Sequence, residues 1–219
     1  IRLRVAQSKD ELLPRMKAPL RQAAATRLHD ETIELRTDSA VKSVDQGGVV
    51  LENGDRLDGS LVIWTAGVEA NPVARRFSGA QTDSRGRLQV DDQLRVGGRR
   101  EAYALGDVAS VRSGDDQVAP TAQAAVQAAD VVAWNVSAAI LGGEPKTFSY
   151  HDAGHLVELG SRFAVAQVFG AEFSGWAGQI LWRLVYLYKL GDWRDRLHVF
   201  SDWTIRLLEP ASVPRLGLR

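Results

Sequence analysis

Asp107 closes the run Glu101 to Asp107, EAYALGD, and thirteen residues on the chain reads Pro-Thr-Ala-Gln at 120–123. A short apolar strand ending in Gly-Asp sets a carboxylate at the carboxyl edge of a sheet, where open α/β sheets collect their ligands. Such a pattern marks a cofactor address, although an ordinary strand-ending turn has the same sequence. Residues 122–141 read as a long helix, with Pro120 suited to its first turn and an Ala-rich interior. Its amino end, with unpaired N–H groups and a partial positive charge, would point back toward whatever Asp107 holds. Gln123 and Gln127 lie four residues apart and therefore share one helix face. Solvated glutamines on an exposed face would show the same spacing. The four histidines, His29, His151, His155 and His198, share no metal-ligand spacing and read as structural or surface residues.

The elements that must position these residues follow from periodicity and turn chemistry. Ile1 to Ala6 alternates apolar and basic residues as a strand does, and Leu12 to Leu28 is helical in composition. Ile33 to Leu35 and Ala40 to Val44 are short strands. Val49 to Leu51 and Arg56 to Leu57 flank Asn53-Gly54, a strong hairpin signal. Leu61 to Trp64 reads as a buried strand that stops at Ala66-Gly67. Loops surround a short strand at Leu88 to Val90, and a strand at Ala102 to Leu105 leads into Gly106-Asp107. After Gly142-Gly143, strands are predicted near Leu156 to Leu159 and Phe163 to Phe169, followed by two closing helical segments.

With 219 residues the chain has material for one large or two small cored domains. Its 27 basic and 27 acidic residues balance, so there is no electrostatic footprint for nucleic acid. Without cysteine it has no disulfide framework, thiolate metal site or catalytic thiol, which points to an intracellular setting. The chain opens with Ile1 inside a strand pattern and shows no signal peptide, so the expectation is a fragment whose amino-terminal part is missing.

Three patterns in order, VIWTAGV at 62–68, YALGDVA at 103–109 and APTAQAAVQ at 119–127, resemble the carboxyl-terminal half of type II NADH:quinone oxidoreductases. These are flavoproteins of the pyridine nucleotide-disulfide oxidoreductase-like superfamily. The resemblance covers essentially the whole chain, and neither Gly-rich dinucleotide fingerprint of the family is present in it. It implies an α/β fold: the end of an NAD(P)H-binding Rossmann-like domain over 1–70, the closing part of an FAD-binding domain over 71–145, and strands with amphipathic membrane-binding helices over 146–219. The implied activity passes electrons from NADH through FAD to a membrane quinone without proton pumping, by the full-length protein and not by this fragment alone. Another quinone- or ferredoxin-linked FAD oxidoreductase, or a noncatalytic membrane- or partner-binding fragment, is the alternative. The sulfide-oxidising and disulfide-reducing branches use cysteines that this chain lacks.

By the same resemblance, Asp107 would bond a ribityl or ribose hydroxyl of FAD, as an acceptor-only carboxylate can, and Gly106 would let backbone approach the cofactor. The amides of Thr121, Ala122 and Gln123 would face the flavin's pyrimidine edge and favour its reduced, anionic form. Gln123 and Gln127 match the family's AQxAxQ pattern and are the candidate catalytic residues, able to donate to a quinone carbonyl without bringing charge into an apolar pocket. Ala128 stands where the family often has a further glutamine. Thr65-Ala66-Gly67 would be the crossover between the two nucleotide domains, with Trp64 as packing. Gln7 occupies the strand-end position where the family usually has an acid on the adenine ribose, so NADPH would be accepted beside NADH.

Four of the six tryptophans, Trp176, Trp182, Trp193 and Trp203, fall in the closing segments. Ile180 to Leu190 is apolar but interrupted by Arg183 and Lys189 and far short of the ~20 residues a span needs. Leu197, Phe200, Trp203, Leu207 and Leu208 repeat at helical spacing beside Arg194, Arg196 and Arg206. Residues 176–219 hold seven Arg or Lys against four Asp or Glu, a net +3. That suits an interfacial helix pair over 176–208 on anionic lipid, peripheral to the cytoplasmic face of the cell membrane. A core or homodimer-interface helix has the same pattern.

Overall fold

The computed structural model describes residues 2–77, 79–160 and 162–208, the last three of these by backbone alone. The strand β1 (Leu3–Ala6), helix α1 (Ala18–Asp30) and strand β2 (Ile33–Arg36) form a crossover with the strands parallel, from Leu3 beside Ile33 to Ala6 beside Arg36. Next come β3 (Val41–Asp45), β4 (Gly48–Leu51) and β5 (Arg56–Asp58), an antiparallel meander. The Asn53-Gly54 turn forms as predicted, with Gly54 at φ 91° and the Asn53 side-chain oxygen accepting the Asp55 N–H at 3.0 Å. Strand β6 (Leu88–Gln89) pairs in parallel with β7 (Ala109–Ser110), and β8 (Arg112–Ser113) pairs with β9 (Asp116–Gln117). Then follow α2 (Ala122–Leu141), a three-stranded antiparallel sheet of β10 (His155–Glu158), β11 (Ala164–Val168) and β12 (Ala171–Ser174), and the helices α3 (Gly175–Lys189) and α4 (Trp193–Leu208).

Two compact units result: the described residues of Ile1–Val62 with Ala153–Arg219, and Ile63–Asp152. In the first, Met16, Leu20 and Ala24 bury against Val165, so the first helix of the chain packs on a strand some 140 positions later in sequence. The helix begins at Ala18 and not at Leu12. Leu13 takes a left-handed φ of 53° before Pro14, a position from which proline bars the helical conformation, and a tight turn closes from Met16 N–H to the Leu13 carbonyl at 2.9 Å. Helix α3 also lies on β11, where Gly178 touches backbone: a Cβ there would stand 2.2 Å from the Ala164 carbonyl oxygen. Strand β12 was not foreseen. It returns from β11 through Phe169-Gly170 with both residues at positive φ, 48° and 82°, the backbone of a type I′ hairpin without its usual Asn-Gly.

The second unit centres on Leu88, Leu94, Val96, Ala104, Ala109, Val111, Ala124, Ala128 and Phe148. Residues 102–105 are extended, bonded through Val96 N–H to the Ala102 carbonyl (2.9 Å) and Ala104 N–H to the Leu94 carbonyl (3.1 Å), and do not build a regular ladder. The strand predicted at Leu61 to Trp64 is absent: Leu61, Ile63 and Trp64 are 74%, 77% and 59% exposed. An apolar run becomes a strand only when neighbouring strands take its N–H and C=O groups, and no strand among the described residues does so.

Helix α2 is the spine of this unit. It is 20 residues long and, with a mean hydropathy of 1.4 over an 18-residue window, is long and apolar enough to cross a membrane by length and composition. Its fully buried Asn135 ties one face of it to loops of the same unit. The side-chain amide donates to the carbonyls of Gln93 (3.1 Å) and Lys146 (2.9 Å), and its oxygen accepts the Lys146 N–H at 2.6 Å. Gly142, at φ 77°, ends the helix with its N–H on the Ala138 carbonyl.

Candidate cofactor site

Gly106 to Val108 form a single 3-10 turn that faces the first turns of α2. Gly106 sits at φ 68°, and a Cβ there would find its nearest neighbour, the Ala125 Cβ, at 3.8 Å. The glycine is therefore required by backbone conformation and not by crowding. Asp107 follows on the exposed side of the turn, and its carboxylate has no hydrogen bond or ion pair among the described residues.

Opposite it, Thr121 caps α2, its hydroxyl accepting the Ala124 N–H at 3.2 Å. Pro120 precedes the cap instead of lying in the first turn. The amides of Ala122 and Gln123 remain without a partner among the described residues, two donors at the positive end of a 20-residue helix. Between turn and helix lies a mostly apolar floor in which Gly106, Ala109, Thr121, Ala124, Ala125 and Ala128 lie beside Val111, Val118, Ala119 and Pro120. Its enclosed volume is about 10 Å³, room for about one water, so it is a surface to lie against and not a closed pocket. An unpaired carboxylate, two unpaired amides and a floor free of aromatic and charged side chains fit the polar edge of a flat cofactor.

Gln123 and Gln127 share the helix face their spacing requires, and both are directed to one place. Each donates its Nε2 to the His151 carbonyl, at 2.9 and 2.8 Å, and Gln127 Oε1 accepts the His151 N–H at 3.0 Å. The adjacent Tyr150 N–H bonds the Ser113 hydroxyl at 3.0 Å, and Phe148 is buried with its N–H on the Asp92 carbonyl at 2.7 Å. The glutamines thus tie a strap, 148–151, across the start of α2. Each retains its second Nε2 hydrogen, and Gln123 retains its Oε1. Sequence reasoning missed the strap because its bonding groups are peptide atoms of His151, which carry no residue-type signal.

Thr65, Ala66 and Gly67 form an exposed coil in the same unit, Gly67 at φ 100°, and none of the three lines the floor. Gln7, in the other unit, lies just past β1. Its N–H bonds the Arg36 carbonyl at 2.8 Å, its carbonyl accepts from Ser39 at 2.8 Å, and its side-chain amide donates to the Glu11 carbonyl.

Helices α3 and α4 carry an aromatic surface. Trp182 lies 4.4 Å from Tyr186 and 6.1 Å from Trp203, ring centre to ring centre. Arg183, Lys189, Arg194 and Arg196 each stand over a ring, those of Trp203, Tyr186, Trp193 and Tyr188. Arg196 also closes the end of α3, donating to the Leu190 and Tyr188 carbonyls at 2.8 and 3.0 Å. Trp176, Tyr188 and Trp193 are each about two-thirds exposed or more. The side chains of Arg206, Leu207 and Leu208 lie outside the described residues.

The profile of the pyridine nucleotide-disulphide oxidoreductase family matches residues 2–129, and that of the NDH2 C-terminal domain matches 153–209, beginning where the second unit ends. A demethylphylloquinone reductase of Synechocystis sp. is 33% identical over 94% of this chain and 52% of its own length. A probable NADH dehydrogenase of Dictyostelium discoideum is 31% identical over 95% of the chain and 46% of its own. A type II NADH:quinone oxidoreductase of Mycobacterium tuberculosis is 30% identical over 90% and 44%. The chain thus spans about half the length of the curated relatives it matches. Its fold matches the structure of NDH2 from Plasmodium falciparum in complex with NADH, with a TM-score of 0.79 over 93% of this chain and 57% of that one at 19% identity. The α/β architecture with closing helices is that of this group, and the chain belongs to the pyridine nucleotide-disulphide oxidoreductase family, with the NDH2 C-terminal domain over residues 153–209.

Proposed function

We propose that this chain serves a type II NADH:quinone oxidoreductase, an FAD enzyme that takes electrons from NADH and delivers them to a membrane quinone without pumping protons. The observation that carries the reading is the pairing of Asp107, an unpartnered carboxylate, with the unpartnered amides of Ala122 and Gln123 at the amino end of α2. Bound FAD supplies the exchange of a hydride from NADH for two electrons delivered to the quinone. Asp107 accepts a ribityl or ribose hydroxyl, and the α2 amides stabilise negative charge at the flavin's pyrimidine edge by about 0.3–1 kcal/mol, up to ~2 when partly buried. Gln123 and Gln127 hold the 148–151 strap and offer their remaining N–H donors to a quinone carbonyl.

In this reading residues 1–70 close the NAD(P)H domain, 71–145 close the FAD domain, and Thr65 to Gly67 cross between them. Gln7 leaves room for NADPH beside NADH. Helices α3 and α4 rest on the cytoplasmic face of the cell membrane, and a homodimer would form beside it. The test is Asp107→Ala in the intact protein. Loss of one charged acceptor is worth roughly 1.5–3 kcal/mol, about ten- to a hundredfold in FAD affinity. Flavin retained at unchanged stoichiometry and dissociation constant after gel filtration would remove Asp107 from the site.

A further inference from the structure

Between α3 and α4 runs a groove of about 170 Å³ lined by Ile180, Arg183, Leu184, Leu187, Phe200, Trp203 and Thr204. An apolar cavity of about 150 Å³ stays dry and takes a benzene-sized guest, so this groove has room for a short stretch of hydrocarbon. Two of its lining residues are polar. Thr204 turns its hydroxyl back onto the Phe200 carbonyl at 2.8 Å, which leaves Arg183 as the group able to address a ligand. Arg183 lies 5.5 Å from the centre of the Trp203 ring and has no hydrogen bond or ion pair among the described residues. None of the lining residues is acidic. A half-buried guanidinium with five unused N–H donors at the edge of an apolar groove calls for an oxyanion joined to an apolar chain.

We infer that the α3–α4 groove binds a single anionic phospholipid, its phosphate on Arg183 and part of an acyl chain between Leu184, Leu187 and Phe200. The charge selects this occupant: a prenyl chain or a neutral alkyl chain would fill the groove and leave Arg183 unanswered. Lys189 and Arg194 are each stacked on a ring of the same helix pair, outside the groove lining and close in sequence to Asp192 and Asp195. The inference rests on the membrane reading of α3 and α4 and adds to it a defined lipid seat. Without that seat, the helices would meet lipid only as a general interfacial surface.

The experiment uses the intact protein and vesicles containing phosphatidylglycerol or phosphatidylcholine with a photoactivatable group in the acyl chain. Sedimentation reports vesicle binding, and mass spectrometry maps the labelled residues. Phosphatidylglycerol should label Leu184, Leu187 and Phe200 about fivefold more than phosphatidylcholine does, the preference one arginine near the surface provides, and Arg183→Gln should erase that preference. Thr204→Trp, which fills the groove from an exposed position, should lower labelling of Leu187 and Phe200 by either lipid. Equal labelling by both lipids, or labelling confined to exposed Trp176 and Trp193 while the vesicles still bind, overturns the lipid seat and leaves the membrane reading standing. Crosslinks between two copies through Leu184 or Phe200 in place of lipid adducts give the groove to a second copy and overturn it also. Failure to sediment with either vesicle overturns the membrane reading itself.

Discussion

Replacing Gly178 by alanine sets two effects of opposite sign against each other. In a helix interior, alanine is favoured over glycine by about 0.5–1 kcal/mol, so propensity alone predicts that the variant is more stable. The contact predicts the reverse. A Cβ at 178 would lie 2.2 Å from the Ala164 carbonyl oxygen and 2.9 Å from its carbon, well inside the 3.4 Å where ordinary contact begins. Both atoms are backbone of β11, whose residues Ala164, Val165 and Ala166 are fully buried, so no flexible side chain can yield. Helix and strand must separate by more than an ångström, an overpacking that typically costs about 1–3 kcal/mol. The net expectation is a loss of roughly 1 kcal/mol at mid-range and up to about 2.5, or up to about 10 °C in melting temperature for a chain of this size. Thermal unfolding by circular dichroism measures it, and amide exchange should show faster opening of β11. Gly191→Ala is the control: nothing lies within 4 Å of its Cβ and its φ is not left-handed, so it should be neutral or stabilising by up to about 1 kcal/mol. A Gly178→Ala melting temperature at or above that of the parent would refute the close approach of α3 to β11.

Three further outcomes follow from named contacts. Gln127→Leu removes both bonds to His151, at 2.8 and 3.0 Å, and should slow reoxidation of flavin by quinone more than its reduction by NADH, with Gln123→Leu milder; stopped-flow traces with both half-reactions unaltered would show that the strap has no part in catalysis. Gln7→Glu should lower kcat/KM for NADPH through charge repulsion while sparing NADH, and an unmoved ratio between the two would place residue 7 away from the ribose. In Asp83, burial alone would raise the carboxyl pKa, but the Arg87 N–H, the Arg87 guanidinium at 2.7 Å and the Arg85 N–H together hold it below the ordinary value. A depressed folded-state pKa means stability that is present above the unfolded value of about 4 and lost as pH falls through the folded one. Asp83→Asn should therefore melt lower than the parent at neutral pH, with the difference shrinking below about pH 4; a gap that is constant with pH would exclude this carboxylate as its source.

Local signals determined a good part of this molecule. Gly106-Asp107 and the Ala-rich stretch after Pro120 specified a turn and a helix, because each depends on φ and on propensity within a few residues, while the cap proved to be Thr121. The Asn53-Gly54 hairpin, the four-residue spacing of Gln123 and Gln127, and the two aromatic closing helices were legible for the same reason. The ordered motifs pointed to the family whose profile matches residues 2–129.

Tertiary structure decided the rest, where the interacting groups are far apart or carry no residue-specific mark. Leu61 to Trp64 has the composition of a buried strand, yet burial is a property of neighbours, and among the described residues none covers it. Leu12 to Met16 reads as helix, but Leu13 turns left-handed before Pro14 and Met16 buries against Val165. The acceptor of both candidate glutamines is the peptide of His151, and any residue at that position would present the same carbonyl. Sequence spacing could put Gln123 and Gln127 on one face of α2. Only the folded chain could bring a strap from 24 residues beyond Gln127 to meet them.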